Sequence, residues 1–108
     1  MGYDFYGKHR KTDDEYIFTT ECMYAYQPIF KECFSKDIKE FNGRVTKRKV
    51  EEFKLGVDKL SENPDRYNLN HKQMMGYLGN KDYAKLVEEL YELYSLMKSK
   101  DVGYLEIS

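Results

Sequence analysis

The sequence predicts an α+β fold: a small antiparallel sheet, built from an N-terminal hairpin and a C-terminal strand, packed against three to four helices. Three observations carry this expectation. Aromatic and apolar residues alternate with period two at both ends of the chain, they recur at three- and four-residue spacing between those ends, and 108 residues supply one core and no second.

At the N-terminus, Gly2-Tyr3-Asp4-Phe5-Tyr6-Gly7 places Tyr3 and Phe5 on one side of a short strand and Asp4 and Tyr6 on the other. Lys8 to Glu15 is polar throughout and reads as a loop, and Tyr16-Ile17-Phe18-Thr19-Thr20 is a second β-prone run that completes a hairpin. Pro28 fits the first turn of a helix, where its missing N–H is harmless, and the helix is expected to run to about Phe41 and stop at Asn42-Gly43. Its apolar face holds Ile29, Phe30, Cys33, Phe34 and Phe41.

Thr46 is a candidate N-cap for a second helix bearing Val50, Phe53, Val57 and Leu60, which Asn63-Pro64-Asp65 ends. Between Tyr67 and Asn80, the residues Met74, Met75, Tyr77 and Leu78 suggest a short helix. The last helix, about Lys81 to Lys100, gathers Tyr83, Leu86, Val87, Leu90, Tyr91, Leu93, Tyr94 and Met97 into an arc roughly 160° wide. Tyr104-Leu105-Glu106-Ile107 then alternates as a terminal strand able to pair with the first.

A net charge of −1 sets this chain apart from general nucleic-acid binders, which are strongly basic, and from acidic DNA mimics. No apolar run resembles a signal peptide or approaches a membrane span, and two cysteines without a leader point to reduced thiols in a cytoplasm. The 11 tyrosines either thicken a thin core or face a partner, since the ring is apolar and its tip polar.

Motifs for catalysis are missing from the sequence, which points away from an enzyme. There is no Gly-rich phosphate loop, no Gly-x-Ser-x-Gly elbow and no His-Glu-x-x-His helix. Glu52-Phe53-Lys54 has a spacing used by some metal-dependent nucleases, but it falls on an expected helix where that chemistry needs a strand.

His9, Cys22, Cys33 and His71 are the right number of ligands for a tetrahedral zinc, yet no close Cys-x-x-Cys pair anchors them. On one continuous helix Cys22 and Cys33 would stand about 16 Å apart; with Pro28 opening a new helix they can meet. The alternative is that both cysteines are small buried hydrophobes. Asp37, one turn beyond Cys33, falls inside an apolar arc, where a carboxylate needs a donor, a cation or water.

Arg44, Lys47, Arg48 and Lys49 set four cations around the start of the second helix, against the preference of that end of the dipole for acids. They are candidate contacts for an acidic partner, or else ordinary solvated surface. Lys8-His9-Arg10-Lys11 is a second cluster, and the two reinforce each other if the fold brings them together.

The opening MGYDFYG, followed by a polar loop and by Tyr24-Ala25-Tyr26-Gln27-Pro28-Ile29-Phe30, resembles a group of small phage and prophage proteins. Members of that group begin Met-Gly-Phe/Tyr-Asp-x-Tyr-Gly and carry an aromatic cluster running into Arg-Pro-Leu. Here Gln27 stands in place of the basic residue, and the likeness covers about the first thirty residues. The resemblance implies a setting. Small phage accessory proteins bind and block host machines, and the anti-CRISPR inhibitors of the type II effector nuclease are similar in size and in lacking enzyme motifs. It implies a cytoplasmic, phage-encoded stoichiometric inhibitor that binds this nuclease, with no membrane role and no strong direct nucleic-acid binding. The alternative is a small zinc-containing structural or regulatory protein; a nucleic-acid accessory factor is a third reading.

Overall fold

A computed structural model of the chain describes residues 2–68 and 83–108. Strand β1, Gly2–Lys8, pairs antiparallel with β2, Phe18–Met23, and on its other side with β4, Tyr104–Ile107. A two-residue strand β3, Gly43–Arg44, adds to β4, so the sheet runs β2-β1-β4-β3. The expected hairpin and terminal strand are both present, and the first and last strands form the middle of the sheet.

Period-two alternation decides the faces. Tyr3, Phe5, Phe18, Cys22, Leu105 and Ile107 are buried toward the helices, while Asp4, Tyr6, Lys8 and Glu106 alternate with them and are half-buried. The second strand starts two residues later than its sequence suggested and extends further. Ile17 donates to the Gly7 carbonyl at 2.9 Å and closes the hairpin, while Tyr16 stacks on Tyr6 with ring centroids 4.6 Å apart. The ladder then continues through the pairing of Cys22 with Tyr3.

Helix α1 spans Gln27–Phe34 rather than reaching Phe41. Ser35, at φ 60°, takes the left-handed conformation that ends helices. Asp37 then opens a separate 3-10 turn, Ile38–Phe41, accepting from the Lys39 N–H at 2.9 Å while its own N–H donates to Glu40 at 3.2 Å. This capping box removes the puzzle of a carboxylate on an apolar arc: Asp37 belongs to no such arc, and its donor is the backbone of the next turn.

Helix α2, Lys47–Glu62, is capped as expected, the Thr46 hydroxyl accepting from the Lys49 N–H at 3.2 Å. Its buried residues are Phe53, Gly56, Val57 and Leu60. Gly56 is there for proximity: a Cβ would stand inside the Phe34 ring, so α1 and α2 approach as closely as they do because no side chain intervenes. Phe34 in turn meets Phe41 and Phe53 at 5.5 and 5.3 Å between ring centroids.

A single turn α3, Pro64–Tyr67, follows, and α4, Tyr83–Ser99, closes the core with Tyr83, Leu86, Leu90, Leu93 and Met97 buried. The short helix expected around Met74 to Leu78 lies outside the described residues. Among the described residues no helix is long and apolar enough to cross a membrane.

Candidate partner-binding groove

The basic run that begins at Arg44 divides by role. Arg44, Lys47 and Arg48 are exposed, whereas Lys49 folds back and donates to the Asn42 and Arg44 carbonyls at 2.8 and 2.9 Å. Burial, and then the charge of Lys36, lowers the Lys49 pKa from its usual value. Lys49 therefore satisfies backbone carbonyls beside β3, while Arg44, Lys47 and Arg48 face solvent. Arg48 lies 3.9 Å from Glu52, a carboxylate that Lys36 already holds at 3.1 Å.

The second basic cluster lies close by, two strands across the sheet. Gly103 donates to the Lys8 carbonyl and accepts from the Val45 N–H, both at 2.9 Å, so two strand spacings, about 10 Å, separate the two runs. Lys8 and Arg44 both stand opposite Tyr104 and so share the outer face of the sheet, where the Lys8 ammonium lies 3.1 Å from Glu106 and over the Tyr16 ring. His9 is exposed, with its Nδ1 at 3.1 Å from the Asp101 carbonyl.

The end of α4 also adjoins the first cluster. Between the start of α2, the last turns of α4 and residues 102–103 lies a groove of about 800 Å³. Its floor is Val45, Val50, Met97 and Val102, the last two fully buried. Its rim carries Arg44, Lys47, Lys98 and Lys100, and among the described residues none of these four takes part in an ion pair. Glu51 is the acidic residue of the lining.

Lys54 also faces the groove but is bound to Asp58 at 2.6 Å. Asp58 accepts a further bond from the Tyr91 hydroxyl at 2.6 Å, and Lys54 first and Tyr91 second hold its carboxyl below the usual value. Lys98 and Lys100 were not singled out by sequence, because basic residues in the last turn of a helix are ordinary partners of its dipole.

The residues expected to bind zinc are dispersed where they are described. Cys22 pairs with Tyr3, and His9 follows Lys8 at the other end of β1, roughly 17 Å away or more at strand rise. Neither cysteine is in a disulfide and both are buried; burial, partly offset by a bond from Tyr67, pushes Cys33 up. Among the described residues no three His, Cys, Asp or Glu side chains converge to hold an ion, and His71 lies outside them.

Glu52 and Lys54 sit on α2, where positions two apart diverge by about 200° around the axis, and each is paired elsewhere. Among the described tyrosines, Tyr3, Tyr26, Tyr67 and Tyr83 are buried, Tyr6, Tyr91, Tyr94 and Tyr104 are half-buried, and Tyr16 and Tyr24 are exposed.

The fold defines a class, a small α+β domain whose four-stranded antiparallel sheet is packed against helices. Comparisons with protein-family models, curated proteins and solved structures find no match to this chain.

Proposed function

We propose that this protein works as a stoichiometric binder, docking an acidic surface of a partner protein in the groove between α2 and α4. The observation that carries this reading is the set of four unpaired cations, Arg44, Lys47, Lys98 and Lys100, around an aliphatic floor. Unpaired cations beside apolar surface are the composition of an interface, in which Arg anchors and desolvated apolar contacts act together.

In its most specific form the reading is of a phage-encoded inhibitor, acting in the bacterial cytoplasm, that binds a type II CRISPR effector nuclease and blocks nucleic-acid loading. The resemblance of the opening MGYDFYG to small phage proteins supports that setting. The nucleic-acid channel of such a nuclease is itself positive, so a basic groove docks on an acidic face beside the channel and obstructs loading from there.

A tagged pull-down from a bacterium carrying a type II CRISPR system tests this. The effector nuclease is expected in the eluate, and purified protein added at one equivalent is expected to suppress target cleavage. An eluate without the nuclease, together with unimpaired cleavage, rejects the specific reading.

A further inference from the structure

We infer that the groove receives an acidic amphipathic α-helix of the partner, its aliphatic side chains on the floor and its carboxylates on the rim. The inference rests on the binding function proposed above and names the chemistry of the occupant.

Charge selects an anionic occupant. Lys54 is satisfied by Asp58, which leaves Arg44, Lys47, Lys98 and Lys100 facing, among the described residues, Glu51 alone. The floor excludes a purely ionic one: Val45, Val50 and Tyr94, half-buried above the fully buried Met97 and Val102, have apolar surface on which Leu, Ile or Met side chains are removed from water.

The sheet edge argues against an added strand. Just after β3 the Val45 N–H already donates to the Gly103 carbonyl, and the carbonyls of Asn42 and Arg44 are held by the Lys49 ammonium. A strand laid along this edge meets acceptors that are already occupied, whereas a helix brings its own backbone bonds complete.

The probe is a capped 15-residue peptide with Leu at i, i+3, i+4 and i+7 and Glu on the flanking positions, titrated into the ¹⁵N-labelled full chain. Amide shifts are expected at Val45, Val50, Met97 and Val102. Lys98→Glu is expected to weaken binding at least tenfold, with recovery when the flanking Glu of the peptide are exchanged for Lys. A scrambled peptide of equal composition is expected to bind at least tenfold more weakly.

Equal binding of the scrambled peptide, shifts that map elsewhere, or no saturable shift overturns the inference. So does an oligothymidylate that moves the same amides more strongly than the peptide. Lys98→Glu is also taken through the pull-down. If wild type and variant recover the nuclease equally, the groove is not the site while the inhibitor reading survives. If neither recovers it, that specific reading fails whatever the peptide does.

Discussion

Asn42 and Ile107 hold each other as neighbouring strand residues do. The Asn42 side-chain amide donates to the Ile107 carbonyl at 3.0 Å, and its oxygen accepts from the Ile107 N–H. β3 has only two residues, so this side chain continues the ladder along β4 where the backbone has turned away.

Replacing Asn42 with Ala leaves both groups of a buried residue without these partners. The expected loss is about 1–2 kcal/mol, read as a lower urea midpoint at unchanged slope. A midpoint that does not move shows that water serves Ile107 equally well.

Gly56→Ala tests the contact between α1 and α2. The gain in helix propensity, about 1 kcal/mol, opposes a methyl placed in the Phe34 ring, and overpacking of this kind costs about 1–3 kcal/mol. Net destabilisation is expected. Combining it with Phe34→Leu should be less harmful than the sum of the two, as a double-mutant cycle by thermal unfolding will show.

The split roles within the basic cluster predict unequal effects on stability. Lys49→Ala removes two bonds to carbonyls and is expected to lower stability by about 1–2 kcal/mol. Arg48→Ala, at an exposed position with one long ion pair, is expected to stay within about 0.5 kcal/mol. Equal effects in parallel denaturant titrations would remove the distinction.

Asp58 gives the acid limb of stability a direction. Its carboxyl is lowered first by Lys54 and then by Tyr91, so its contribution is complete above the unfolded value of about 3.9. That contribution disappears as pH falls through the lower, folded value. Glu32, lowered chiefly by its bond with Arg66, acts in the same direction. Asp58→Asn is expected to flatten the fall in melting temperature below pH 4, and an unchanged acid limb would assign the dependence to other groups.

Periodicity made most of the fold legible. The alternation of Tyr3 and Phe5, the Thr46 cap and the spacing from Tyr83 to Met97 each led to the observed element. The end of α1 was hidden because Ile38 and Phe41 continue a helical spacing across Ser35. Serine carries no turn signal comparable to glycine, and only the backbone reveals its left-handed state. β3 was hidden because Asn42-Gly43 signals a stop, and two residues are too few to show a period.

The groove was half visible. Arg44 and Lys47 belong to a run that stands out in sequence, but Lys98 and Lys100 join them only through tertiary packing of α4 beside α2. Nor does sequence reveal that Lys49 turns inward, since that depends on two carbonyls exposed by a turn.

The sheet order also sets when the protein can fold. Phe5 pairs with Ile107, so the inner edge of β1 waits for the far end of the sequence before it is filled. The hairpin of β1 and β2 alone is marginal in water, and closing so long a loop carries an entropy that must be met before the central ladder returns anything. Slow, late sheet completion is the kinetic result, with an unpaired apolar strand edge open to chance association until β4 arrives.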